Sequence, residues 1–214
     1  TDIDGKLNVT PTRAHLTADA GVDGIPLTLD LIEPVSNSGV ARERRISGTL
    51  DNQAREKVAP GSGLLISGPV GLELEEKGPG KNAITLRLDR AELTVPGIGW
   101  AKGAGIPGTA SFNLESEGND HKLRNLTVSG EGFKVTGAVD ITNGGFSSAR
   151  LDHVRLSPGD DYRADITRKG NAYDIRVSGA SADLRSLIAE AKSSASSADG
   201  GDSDATIADS GSLG

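Results

Sequence analysis

The sequence predicts a mainly β protein, an antiparallel meander of short strands, and three observations predict it. Runs of alternating apolar and polar residues recur along the chain, as where Ile25, Leu27, Leu29 and Leu31 share one parity against Thr28 and Asp30. A period of two gives a sheet with one apolar face. Turn residues separate these runs at short intervals, and no helical crossover of the kind a parallel sheet needs lies between them. Aromatic residues make up only 3% of the 214 residues, with one Trp, two Tyr and three Phe. Aromatics supply the largest single burial contributions in most cores. A core here must be built from Leu, Ile, Val and Ala, which suits a thin layer or an aliphatic groove better than a thick globular centre. A small-residue β-sandwich stays open beside it.

The elements follow in order. Strands are expected over residues 6–9, 13–19 and 25–32, the last stopped by Glu33-Pro34, with a polar loop over 35–39. Residues 46–50 predict a strand and 51–58 a short helical piece, ending before Ala59-Pro60-Gly61-Ser62-Gly63. Strands over 64–67 and 70–75 flank Gly68-Pro69, where a proline marks an edge, a bulge or a break. Residues 83–95 form the longest strand-like run. Ile84, Leu86 and Leu88 are even-numbered whereas Ala91, Leu93 and Val95 are odd-numbered, so an extra residue absorbed as a β-bulge near Asp89-Arg90 would keep one apolar face.

Next comes a corner containing the one tryptophan: Pro96, Gly99, Trp100, then Lys102, Gly105 and Pro107. Strands are expected over 109–115, 122–129 and 133–142. In the last, Phe133, Val135, Val139 and Ile141 share one parity, and Asn143-Gly144-Gly145 predicts a hairpin. Runs over 146–156, 161–168 and 172–178 continue the theme, with Tyr173, Ile175 and Val177 on one face; the total is roughly ten strands. Leu184, Leu187, Ile188 and Ala191 fall at helical spacing behind Asp183 as N-cap, predicting a short C-terminal helix over 183–192. Residues 193–214 are dominated by Ser, Ala, Asp and Gly, without Lys or Arg, and read as a disordered linker. The chain is thus one β unit over 1–192 and a tail over 193–214.

Charge and composition exclude several functions. A net charge of −7 and a pI of about 5.0 leave no electrostatic footprint for nucleic acid. Cysteine is absent, which removes disulfides, thiol nucleophiles and thiolate metal sites. No apolar run approaches a membrane span, and no leader opens the chain; its first residues already look like mid-domain strand, so a segment of a longer polypeptide is expected. Gly103, Gly105 and Gly108 match GxGxxG, but Pro107 lies inside the motif and a strand follows it, where a dinucleotide site needs a helix. His15, His121 and His153 are far apart and form no zinc-ligand pair. Asp152-His153 lacks a GxSxG serine. Asp160-Asp161 and Asp202-Ser203-Asp204 do not continue into a calcium loop. The expectation is a non-enzyme without metal or cofactor.

The corner carries a family resemblance. Leu93-Thr94-Val95-Pro96, then Gly99-Trp100-Ala101-Lys102, then Gly105-Ile106-Pro107, resembles AsmA-like proteins of Gram-negative bacteria, which belong with the TamB-like and bridge-like lipid-transfer proteins. Ser67-Gly68-Pro69-Val70, the mid-strand glycines Gly130 and Gly137, and the closing 182–187 segment agree with it, over roughly 42–189. The resemblance implies a long, twisted antiparallel sheet curled into a groove whose aliphatic inner face shields phospholipid acyl chains in the periplasm. It further implies an inner-membrane anchor outside this chain, other segments of the same polypeptide as neighbours, and membranes at the ends of the full-length protein. The expected groove residues are Ile84, Leu86, Leu88, Leu93, Val95, Phe133, Val135, Val139, Ile141, Tyr173, Ile175 and Val177. Pro96, Gly99, Trp100, Gly105 and Pro107 are expected to form the structural corner. The alternative from another class is a periplasmic or extracellular β-sandwich for adhesion or carbohydrate binding, in which the same residues pack face to face.

Overall fold

The computed structural model describes residues 3–35, 37–95, 98–170 and 172–181. The chain begins with four strands, β1 (Ile3–Val9), β2 (Arg13–Val22), β3 (Ile25–Pro34) and β4 (Glu43–Leu50). A helix α1 (Asn52–Val58), a 3-10 turn (Ser62–Leu64) and a two-residue strand β5 (Ile66–Ser67) follow. Then come β6 (Val70–Gly78), β7 (Lys81–Arg87), β8 (Glu92–Val95), β9 (Trp100–Lys102) and β10 (Gly108–Glu117). The last five are β11 (Asp120–Gly130), β12 (Phe133–Thr142), β13 (Gly145–Arg155), β14 (Asp161–Lys169) and β15 (Ala172–Ser181).

Twelve of these strands form one sheet in the order β1-β2-β3-β4-β6-β7-β10-β11-β12-β13-β14-β15, and β5-β8-β9 form a small second sheet. Every pairing in the large sheet is antiparallel and joins strands consecutive within it, so the expected meander is what the chain builds. β1 and β15 are its edges and do not pair with each other, so the sheet is open. Local chemistry explains the hairpins. Asp23-Gly24 and Asn143-Gly144 both hold two successive positive φ angles, the geometry of a two-residue turn that matches strand twist.

The expected helical piece forms as α1, where the Asp51 carboxylate accepts from Ala54 N at 2.8 Å and caps the first turn. The expected helix over 183–192 and linker over 193–214 lie outside the described residues.

One expectation is overturned. Residues 83–95 are not a single bulged strand. β7 ends at Arg87, the chain turns through Leu88–Ala91 with Ala91 N donating to Leu88 O at 3.1 Å, and β8 belongs to the small sheet. The parity change at Asp89-Arg90 marks the chain leaving the sheet. Leu88 and Ala91 are both fully buried in that turn, so both parities are apolar without any bulge. Of the run over 64–67, Leu64 ends the 3-10 turn and only Ile66–Ser67 is extended.

The large sheet bends toward its apolar side. Directly opposed Cβ atoms in a flat antiparallel pair stand about 4.5–5.5 Å apart. A Cβ added at Gly137 would overlap the Arg150 carbonyl oxygen and come within 2.8 Å of Leu151 Cα on the neighbouring strand. At Gly179 it would overlap the Asp161 carbonyl and at Gly48 it would come within 2.8 Å of Pro26 O; Gly5 meets Ala18 in the same way. By register all four glycines lie on the face that also carries Ala18, Leu27 and Leu151. Neighbouring backbones therefore rise toward that face at four creases, which makes it the inside of the curl.

Candidate functional site

The inner face is apolar from one edge of the sheet to the other. Its middle row starts at Gly5 and Ala18 and passes through Leu29, Ile46, Leu74, Ile84 and Phe112, each opposite the next. Across the bulge in the β10–β11 pair it resumes at Leu126, opposite Gly137, and runs on through Leu151 and Ala164 to Val177. Asn125, with φ 54°, takes the left-handed conformation at that bulge. No charged residue interrupts the row. Most of its large side chains are half-buried, shielded by strand neighbours and not covered by a second layer.

The two ends of this face differ. At one end the chain between β4 and β6 and between β7 and β10 folds over it. Ala54 of α1 packs with Ile25 and Leu50 against Leu27 and Leu72. Leu88, Ala91 and Leu93 pack with Val70, Ala110 and Phe133, flanked by Ile66, Leu86, Trp100 and Val128. Among the described residues these are the two clusters of mutually packed buried side chains, and they lie where the small sheet and α1 meet the large sheet; Ile84, Val154 and four alanines are buried outside them.

At the opposite end charges close the face. Arg44, opposite Leu31, donates to Glu33 and pairs with Glu76 at 3.2 Å, while Arg42 donates to Glu33 at 2.7 Å. The Arg44 guanidinium holds the Glu33 carboxyl below its usual range, and Glu33 in turn raises Arg44. The outer face is a polar ladder of pairs such as the exposed Arg87–Glu73 and the half-buried Arg124–Asp140. Such pairs favour solubility more than stability.

The structure brings most of the expected groove residues together. Ile84, Leu86, Phe133, Val135, Val139 and Ile141 share the inner face, and so do Tyr173, Ile175 and Val177 on edge strand β15. Leu93 and Val95 do not belong with them. They sit on β8 in the small sheet, where Leu93 is buried against the large one, because the chain has already turned out at Leu88–Ala91. Leu88 is 1% exposed and fills the covered end of the face. Phe133 is buried there too, beneath Trp100.

The corner is an architectural clamp. The Trp100 ring meets Phe133 edge-on at 5.1 Å, and its Nε1 donates to Leu156 O at 2.9 Å, tying β9 to the connection between β13 and β14. Gly99 and Gly105 have positive φ, and Gly105 N donates to Asp89 O at 2.7 Å. Pro107 is exposed just before β10; Pro96 lies outside the described residues. The glycine pattern at 103–108 opens strand β10 and no helix, so it offers no pyrophosphate site.

Two structural cations escaped the sequence reading. Lys102 is 2% exposed, and its Nζ donates to Leu88 O and Ala91 O at 2.8 Å each and to Gly103 O at 3.1 Å. Burial pushes its pKa down, opposed by the charges of Asp89 and Glu92. Arg55 of α1 donates to Ile66 O and Gly68 O at 2.6 and 2.8 Å and to Asn52 Oδ1, which itself accepts from Gly68 N. A lysine two residues after the one tryptophan, and an arginine on the inward side of a capped helix, were the available signals.

The remaining candidates resolve into local structure. His15 pairs with Asp30 at 2.8 Å, His121 with Ser116 at 2.9 Å, and His153 with Asp161 at 3.4 Å. The Asp160 carboxylate accepts from Leu156 N and Ser157 N and so shapes a turn. Among the described residues no cluster of His, Asp or Glu could hold a metal ion, and no helix is long and apolar enough to cross a membrane. Asp202 and Asp204 lie outside the described residues. No protein-family model, curated protein or solved structure matches this chain.

Proposed function

We propose that this chain is a non-enzymatic lipid-conducting segment whose inner face shields phospholipid acyl chains. One observation carries the reading: a curled, open sheet presents an unbroken apolar row across all twelve of its strands, while the two packed clusters occupy only one end of the face. Apolar surface of this extent on a soluble domain marks a place where something else is bound. An acyl chain laid across the strands meets the half-buried Leu29, Ile46, Leu74, Phe112 and Leu126 in succession, with the buried Ile84 beneath it. Each methylene it buries contributes on the order of 0.8 kcal/mol. The contacts are interchangeable Leu, Ile and Val side chains, which lets an alkyl chain slide; hydrogen-bonding groups would pin it.

The resemblance of the Trp100 corner to AsmA-like proteins points the same way. By that analogy the chain would work in the periplasm, as part of an inner-membrane-anchored protein serving outer-membrane lipid homeostasis. The sandwich alternative asks for two sheets face to face, whereas the strands opposing the large sheet are only two to four residues long. The test is native mass spectrometry of gently purified protein followed by lipid extraction. Co-purifying phospholipid that is displaced by free fatty acid is expected, and protein that never carries lipid, even after incubation with phospholipid vesicles, would sink the reading.

A further inference from the structure

We propose that the two edges of the large sheet are complementary, and that a second copy of this chain docks its β1 against β15 to extend the sheet and its inner face. The inference rests on the edges alone and holds whether the inner face carries lipid or another apolar ligand. Among the described residues no strand pairs with the outer side of β1 or β15, both are free of proline, and Ile3, Leu7 and Val9 on β1 and Tyr173, Ile175 and Val177 on β15 are exposed. Unprotected edges of this kind are templates for strand addition.

Strand count sets the polarity. Twelve antiparallel strands leave β15 running opposite to β1, so a copy in the same orientation continues the alternation. Side-chain phase sets the register to within steps of two, because a one-residue slip would turn the apolar face outward. Among the in-phase registers, one places Asp4 opposite Arg176 and Lys6 opposite Asp174 on the outer face, with Ile3 opposite Val177 and Leu7 opposite Tyr173 on the inner. Shifting by two residues one way sets Lys6 against Arg176; shifting the other way sets Asp4 against Asp174. Both put like charges face to face.

On β1 the edge charges have no ion-pair partner among the described residues, whereas on β15 Asp174 already pairs with Lys169 and Arg176. Asp4 stands opposite Asp19 in the β1–β2 register, Lys6 stands opposite Thr17, and neither has an ion pair among the described residues. On the other edge Arg176 is 78% exposed, reaching Asp174 at 3.4 Å, with Asp165 opposite it on β14; Lys169 reaches Asp174 at 2.9 Å. A contact that joins two different edges is heterologous and does not close at a dimer.

The experiment uses the full chain, which has no cysteine of its own. Opposed residues in an antiparallel pair fall within disulfide range. Oxidation of the double variant Asp4→Cys, Arg176→Cys should therefore give a ladder of linked species, whereas Lys6→Cys, Arg176→Cys, set for the register two residues away, should link far less. Sedimentation of the wild type should show species growing beyond a dimer with concentration. Asp4→Arg should weaken that growth about fivefold, and adding Arg176→Asp should restore it. A chain that stays monomeric, a species that stops at a dimer, equal linking by both cysteine pairs, or indifference to Asp4→Arg would each overturn the proposal.

Discussion

Val139→Asp separates an open lipid-lined face from a closed protein core. Val139 lies on β12 opposite Leu123 and Ala149, half-buried on the inner face and away from both core clusters. Full burial of a valine is worth about 1.5–3 kcal/mol. Its partial burial here makes the lost contribution about 1 kcal/mol, and the poorer strand preference of Asp adds about half as much. The new carboxylate reaches water across the open face, so no desolvation cost is added. A loss of about 1.5 kcal/mol lowers Tm by roughly 3–6 °C in a chain of this size. Phe133→Asp is the contrasting variant: that side chain is 5% exposed beneath Trp100, and an unpaired charge there costs several kcal/mol. Circular-dichroism melts should show Val139→Asp folded and Phe133→Asp unfolded, and lipid extraction should show Val139→Asp depleted of lipid. The reasoning is refuted if Val139→Asp unfolds as Phe133→Asp does, or folds and keeps the wild-type lipid load.

Three further outcomes follow from the geometry. Lys102→Met strips a buried donor from the Leu88, Ala91 and Gly103 carbonyls and should cost about 2–4 kcal/mol in urea denaturation, whereas an unchanged midpoint would remove Lys102 from its clamping role. Gly137→Ala drives a methyl into the Arg150 carbonyl and should cost about 2–3 kcal/mol, while Gly103→Ala, with nothing near its added Cβ, should be nearly neutral; equal effects would contradict the crease. Acid should destabilise the fold through Glu56 and Glu33. Glu56 is held below its ordinary value of 4.5 chiefly by the Gly61 N–H and then by Gly63, and Glu33 chiefly by its bond from Arg44. A depressed carboxyl contributes stability above its unfolded pKa and loses it as pH falls through the lower folded value. Tm should therefore fall with pH below about 4.5, and Glu56→Gln should flatten part of that fall; a parallel profile in the variant would exclude Glu56 as a source.

Alternation and turn chemistry were strong enough to write the large sheet into the sequence. Ile25 to Leu31 and Phe133 to Ile141 carry their face in their parity, and Asn143-Gly144 carries its hairpin. The segment over 83–95 misled because Leu88 and Ala91 are apolar for a different reason than Ile84 and Leu86. They fill a turn under the small sheet, and parity alone cannot distinguish burial in a turn from burial on a strand face. Each of the twelve strands of the large sheet coincides with an expected run, and the strand no run announced is β9 at the Trp100 corner. Direction of curl was invisible from pattern, since it depends on which strand backbone approaches Gly48, Gly137 and Gly179. Lys102 and Arg55 were hidden because their partners are backbone carbonyls, which leave no mark in a sequence.

The central claim is that the inner face holds acyl chains, and photo-crosslinking tests it most directly. A phospholipid carrying a diazirine in its acyl chain, loaded onto the full chain and irradiated, should label peptides containing Ile46, Leu74, Phe112 and Val139. Free fatty acid should compete that labelling away. Labels confined to the outer face around Thr28, Glu73 and Arg124, or no competable label on the inner face, would contradict the account.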